Sequence, residues 1–243
     1  MAGTWIYPDW PAPVRVRALS TTRQGGVSRG KWDGLNLAEH VGDNPIDVAE
    51  NRTRLREMLP AEPRWLNQVH GVTVAYADVL REVVAADAAI ARHRHTVCAV
   101  MTADCLPVLF CDEDASVVGV AHAGWRGLHA GVLEDTLACM EVDPAKVMVW
   151  LGPGIGGNDY EVGSEVKDAF VADMPQAIAA FRMSVREGKW LADLGMLARL
   201  RLRQQGVLRI YGGDFSTFAD PERFYSYRRD GVTGRMATLI WLD

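Results

Sequence analysis

Residues 102–126 read TADCLPVLFCDEDASVVGVAHAGWR. Two short apolar runs, Leu106–Phe110 and Val117–Ala121, are separated by the acidic turn Asp112-Glu113-Asp114. Strand side chains alternate between two faces, and a short connection joins neighbouring strands as an antiparallel hairpin. The stretch therefore predicts a hairpin that brings Cys105, just before the first run, to the sheet edge where His122 ends the second. A thiol and an imidazole placed together are either part of a metal site or a Cys–His catalytic pair.

Outward from this hairpin, an extended lead-in over residues 1–24 contains one strand, with Val14, Val16 and Ala18 alternating against Arg15 and Arg17. Further strands are expected at Trp65–Gly71, Val72–Tyr76, Asp87–Ile90, Val97–Val100, Val147–Leu151, Phe224–Arg228 and Met236–Leu242. A helix is signalled at Asp43-Asn44-Pro45 and runs to Leu59, where Pro60 and Pro63 stop it. Others are expected over Leu128–Met140, from Ser164 (as the cap) to about Met174, and over Met196–Gln205, closed by Gly206. These elements mix without a regular βαβ rhythm. The expected fold class is therefore α+β, with mixed β-sheets and flanking helices in a single domain over residues 1–243.

The 243 residues suffice for one large core, and 49% hydrophobic with 23% charged residues is ordinary for a soluble globular protein. A net charge of −5 supplies no global basic field for nucleic acid, which leaves a small-molecule substrate as the default. The N-terminus lacks the basic and apolar regions of a secretory signal, and no apolar run approaches the roughly 18 residues of a membrane span. A cytoplasmic location is expected, in which the four cysteines are thiols.

His70, in Asn67-Gln68-Val69-His70-Gly71, lies like His122 where a strand meets glycine. Taken singly, Cys105, His122 and His70 each read as buried or structural residues; three at strand ends beside turns strengthen one another. Three such donors with an open fourth position describe a catalytic metal site, and the absence of a CxxC pair argues against a closed structural one. His93-Arg94-His95 is an HxH element in a polar insert and reads as a solvated loop, while Cys98, Cys111 and Cys139 read as core. The run Gly152-Pro153-Gly154-Ile155-Gly156-Gly157 lacks the context of a phosphate loop and reads as a tight turn. The glycine turn at Gly124 beside Arg126 is an equally good anion site, and Arg228-Arg229 reads as a solvated pair that could also serve.

TADCLPVLF, AHAGWRG, GPGIGG, NQVHG, LNLAEHVGDNP with ENR, and FYSYRRDGVTGRMA together resemble the laccase-domain family. That group has been labelled multicopper polyphenol oxidase and is also described as purine nucleoside phosphorylases. The likeness spans about residues 16–242. It implies an architecture related to cysteine-hydrolase-like deamidases and a Zn2+ site at His70, Cys105 and His122. It also implies phosphorolysis of adenosine, inosine, guanosine and methylthioadenosine, with deamination of adenosine. The partners implied are a purine nucleoside and phosphate; for such a reaction Arg52 or Arg126 are this chain's candidate phosphate ligands, and its charge and hydropathy point to neither nucleic acid nor membrane.

Four-copper oxidase chemistry relies on many histidines in HxH pairs and a His-Cys-His link; this chain has six histidines and one HxH. Copper remains a possible occupant of the Cys–His site, because it binds such donors more tightly than zinc. A second enzymatic reading makes Cys105 a nucleophile activated by His122, and a non-enzymatic one leaves a metal-binding protein.

Overall fold

Residues 106–111 pair antiparallel with residues 118–123, with Leu106 opposite Ala123 and Pro107 opposite His122. This hairpin is the middle of the computed structural model, which describes residues 5–243; the first four residues of the lead-in lie outside it. In chain order the described elements begin with β1 (Val16–Ser20), α1 (Pro45–Arg56), β2 (Val74–Tyr76), β3 (Ala88–Ala91) and β4 (Cys98–Thr102). The hairpin strands β5 (Leu106–Asp112) and β6 (Val118–Ala123) follow, then α2 (Trp125–Ala130), α3 (Val132–Met140) and β7 (Val147–Leu151). Next come β8 (Glu161–Gly163), α4 (Ser164–Asp173), β9 (Phe181–Met183), β10 (Lys189–Ala192) and α5 (Leu194–Gln204). The chain closes with β11 (Arg209–Gly212), α6 (Tyr227–Asp230) and β12 (Met236–Leu242).

The fold is α+β with mixed sheets. A six-stranded sheet has the order β11-β7-β5-β6-β3-β2, in which β11–β7 and β2–β3 are parallel and the central pairs antiparallel. Period-2 alternation divides β5 between two cores. Leu106, Val108 and Phe110 join the core under α3, α4 and α5, whereas Leu109 and Cys111 face the core shared with β4 and β12. A strand buried on both faces reads as a continuous apolar run, which is how Leu106–Phe110 reads. The second sheet, β1-β12-β4, packs against β6, and a small third sheet is β8-β10-β9. Among the described residues no helix is long and apolar enough to cross a membrane.

Several elements differ from the sequence expectation, each for a local reason. Trp65–Gly71 is not a strand: within it Asn67 makes an isolated bridge to Ala85, and its last amides bond to a side chain, not to a ladder. Phe224–Arg228 is not a strand either. Phe224 and Tyr225 are buried in succession, and the Ser226 side chain caps α6 by accepting from the Arg229 amide. The helix expected over Leu128–Met140 starts earlier and is split at Gly131, whose φ of +106° breaks the helical path. Gly163, not Ser164, occupies the cap position of α4. At α5 the Asp193 side chain accepts from the Met196 amide at 2.8 Å and starts the helix at Leu194.

Candidate metal centre and active site

Asp87, at the head of β3, is fully buried. Its carboxylate accepts the amides of Val69 (3.1 Å), His70 (2.9 Å) and Gly71 (2.7 Å), and its Oδ1 lies 2.8 Å from His122 Nδ1. Burial pushes this carboxyl up, but the His122 hydrogen bond and the Gly71 and Val69 amides outweigh it and hold Asp87 below its ordinary 3.8. One ionised side chain thus fixes both histidines: His70 through its backbone, which sits at φ +60°, and His122 through its ring. An acceptor at Nδ1 places the ring proton there and leaves His122 Nε2 for a ligand. Gln68 adds a second tie, exchanging two hydrogen bonds with the Met101 backbone at 2.7 and 2.8 Å.

Cys105 comes from the other side, at the start of β5 beside Asp104, which has a φ of +92°. Asp104 Oδ1 accepts from the Thr217 hydroxyl and Oδ2 from the Arg228 amide, both at 2.6 Å, and its carbonyl accepts from the Ile155 amide. This strained residue therefore ties the Cys105 turn to α6 and to the 152–157 loop. The GPGIGG amides are occupied in the same packing: Gly152 donates to the Pro107 carbonyl and Gly156 to the Ser216 hydroxyl. The loop is a tight turn with those N–H groups already spent.

Side-chain donor atoms of His70, Cys105 and His122 all lie within 4.8 Å of one another. His70 Nε2 is 3.9 Å from Cys105 Sγ, and the two imidazole rings meet edge-on at 4.8 Å. The approach needs glycine: a Cβ on Gly124 would fall 2.9 Å from both Cys105 Sγ and His70 Cδ2, and one on Gly127 would fall 2.8 Å from the Gly71 carbonyl. A thiolate with two imidazoles, one buttressed by a carboxylate, is the donor set of an open zinc site, and it also suits copper.

Burial pushes the Cys105 thiol up, but the His122 charge and hydrogen bond, with those of His70, bring it down to about 6. His122 is lowered by burial and raised more by the Cys105 charge and by Asp87, reaching about 9. Each shift is driven in part by the other group's charge, so together they favour a thiolate–imidazolium pair around neutral pH in the metal-free protein. In acid the thiolate is protonated; in base the imidazolium is lost. Alkylation of Cys105 in chelator-treated protein, followed by peptide mass spectrometry, is expected to rise with a midpoint near 6; a midpoint near 9 would mean an isolated thiol.

The three donors stand at the floor of a cleft of about 630 Å³. Trp125, Tyr160 and Tyr227 supply aromatic walls, and Arg126, Arg228 and Arg235 supply charge. His40 also lines the cleft; burial and the Arg235 and Arg52 charges lower it, so it is neutral near pH 7. Of the two arginines expected to meet phosphate, Arg126 lines the cleft and Arg52 does not. Arg52 is engaged by the Leu37 carbonyl (2.9 Å) and Glu39 (2.7 Å) and lies over Trp65, while its neighbour Asn51 donates to the Gly34 and Asn36 carbonyls. That engagement makes the ENR motif a clamp on the 34–39 loop. His93 is exposed near Asp78, and His129 pairs with Asp173 away from the cleft. Cys98 and Cys111 are buried, and burial pushes both thiols up.

Residues 17–243 match the family described as multi-copper polyphenol oxidoreductase laccase. The chain belongs to this family. A purine nucleoside phosphorylase of Pseudomonas aeruginosa is 55% identical over 239 residues, covering 98% of each chain. The purine nucleoside phosphorylase YfiH of Escherichia coli is 52% identical over 246 residues, again covering 98% of each. Among solved structures, a Neisseria meningitidis protein is similar with a TM-score of 0.95 at 50% identity, covering 99% of each chain. YlmD of Geobacillus stearothermophilus gives 0.92 at 31% identity, covering 100% of this chain and 97% of its own. The family's copper label meets a member in which the described residues bring together one cluster of three His and Cys donors.

Asp87 and Asp104 went unnoticed in the sequence. The available signal was an acid placed directly before an apolar run or a cysteine. Arg235 and His40 gave no local signal, since only the fold brings them to the cleft.

Proposed function

We propose that this cleft is the active site of a zinc-dependent purine nucleoside phosphorylase, a single-domain cytoplasmic enzyme that also deaminates adenosine. The substrates proposed are adenosine, inosine, guanosine and methylthioadenosine, with phosphate. The observation that carries the reading is the open His70–Cys105–His122 donor set at the floor of an aromatic and cationic cleft. Two relatives over half identical to this chain and named purine nucleoside phosphorylases support the same reading.

In phosphorolysis a phosphate oxygen bonds to C1′ as the C1′–N9 bond breaks. The bonding pair leaves with the purine, which takes up a proton, and positive charge builds on the ribose meanwhile. Trp125, Tyr160 and Tyr227 offer faces on which a purine stacks. Cleft guanidinium groups hold the phosphate by charge-assisted hydrogen bonds. Asp87 keeps His70 and His122 oriented throughout. When bound, zinc supplies Lewis-acid polarisation and a water acidic enough to act near neutral pH, as replacement of the adenosine amino group requires.

One arrangement favours a second reading. Cys105, His122 and Asp87 stand in the order of nucleophile, base and orienting acid, which would suit a Cys–His hydrolase or deamidase. Chromatography of inosine or adenosine incubated with and without phosphate separates the two. Release of free base and ribose-1-phosphate is expected only when phosphate is present. Its absence from a zinc-loaded sample overturns the phosphorylase reading.

A further inference from the structure

We infer that Asn67 selects the base in this cleft: its amide reads the N1 and six-position edge of the purine and, by turning over, accepts 6-amino and 6-oxo bases alike. The inference rests on the purine nucleoside reading of the cleft and adds to it the group that sets base preference.

The chain has five asparagines, and four of them spend their side chains inside the protein. Asn36 donates to the Ala38 carbonyl and to Asp43, and Asn51 donates to the Gly34 and Asn36 carbonyls. Asn44 accepts from the Ile46 amide and Asn158 from Arg182. Asn67 is the exception. It is exposed and lines the cleft, and among the described residues its side-chain amide has no hydrogen-bond partner. Its main chain is nevertheless fixed: the N–H donates to the Val84 carbonyl at 2.9 Å and the carbonyl accepts from the Ala86 amide at 3.2 Å. The next residue, Gln68, is the other amide lining the cleft, and both of its ends are taken by the Met101 backbone. Asn67 is therefore a placed but uncommitted amide, whose ordering costs little when a ligand arrives.

The other groups of the cleft do not discriminate between bases in this way. Stacking on Trp125, Tyr160 or Tyr227 uses the ring face, which every base has. The cleft guanidiniums only donate, and the carboxylate of Asp104 is taken by the Thr217 hydroxyl and the Arg228 amide. An asparagine sets a donor and an acceptor side by side in one plane. Adenine presents an acceptor at N1 beside a donor at its 6-amino group. Hypoxanthine and guanine present the reverse, a donor at N1–H beside the 6-oxo acceptor. The C=O and NH2 ends of the amide have nearly the same shape, so a half-turn about Cβ–Cγ exchanges them and pairs with either edge. A site of fixed polarity rejects the base that leaves its polar groups unpaired. One reversible amide thus matches adenosine, methylthioadenosine, inosine and guanosine.

Isothermal titration of the full-length protein with adenosine, inosine and guanosine, in the parent, Asn67→Ala and Asn67→Asp, reads the selection without relying on turnover. Asn67→Ala is expected to weaken all three by a similar factor, roughly tenfold. Asn67→Asp leaves two acceptors and no donor. Guanine alone offers two neighbouring donors, N1–H and the 2-amino group, whereas adenine and hypoxanthine each set a lone pair against one carboxylate oxygen. The ratio of guanosine to inosine affinity should therefore rise roughly tenfold or more in Asn67→Asp, and a ratio is insensitive to any general loss from the added charge. Parent-like affinities in Asn67→Ala, or unchanged ratios in Asn67→Asp, overturn the inference. If the preference shifts as expected but no nucleoside is cleaved in the presence of phosphate, the role of Asn67 stands and the phosphorylase reading falls. Phosphate-dependent cleavage with the parent's base preference in both variants leaves that reading standing and removes Asn67 from selection. A parent that binds no purine nucleoside overturns both.

Discussion

Asp87→Ala is expected to lower stability by about 3–5 kcal/mol and to empty the metal site, because it removes the acceptor of a buried charged network. Three successive amides, of Val69, His70 and Gly71, and the His122 ring all lose their partner together. The backbone of His70 sits at φ +60°, a conformation that a non-glycine residue holds only when its surroundings impose it, and here the carboxylate imposes it. Asp87→Asn keeps the shape and one acceptor oxygen, so its loss should be smaller. Its pH dependence carries a sign. The native carboxyl lies below 3.8, so its contribution is full above that value and fades as pH falls through the lower native one. Urea titrations of parent and Asp87→Asn should therefore differ near neutral pH and converge in acid. Equal stability near pH 7 would remove Asp87 from its role.

Gly124→Ala separates the site from the fold. The backbone at Gly124 has φ −66° and ψ 158°, which alanine adopts without strain. The added methyl group instead meets Cys105 Sγ and His70 Cδ2 at 2.9 Å each, so donor atoms must move apart. Displacements of about 1 Å in a reacting geometry cost about 100-fold in rate, and overpacking costs about 1–3 kcal/mol. The variant should therefore fold, bind metal weakly and lose about 100-fold in kcat/KM for nucleoside. Wild-type turnover would show that Cys105 and His70 need not approach each other.

Much of this was legible in the chain, for a definable reason. Leu106–Phe110 and Val117–Ala121 are short, buried and joined by a tight acidic turn, so their pairing is local and brings Cys105 and His122 to one edge. His70 announces itself by the glycine beside it. What escaped is non-local. Trp65–Gly71 looks like a strand because an apolar start runs into a glycine turn, yet its last amides go to the side chain of Asp87, outside the segment. Phe224–Arg228 looks like a strand because aromatics favour sheets, yet burial of two neighbours in succession is not a strand pattern. The strands β8, β9 and β10 span only three or four residues each, too few for a period to emerge. Arg235 reaches the cleft from the turn before β12, and no local pattern could have placed it there.

Metal analysis by plasma mass spectrometry after dialysis decides whether His70, Cys105 and His122 are one site. Zinc is expected at one equimolar site in the parent protein, falling to background in His70→Ala, Cys105→Ala and His122→Ala, each shown to be folded by circular dichroism. Undiminished zinc in Cys105→Ala, above all with turnover lost, would contradict the shared site and make Cys105 a nucleophile instead.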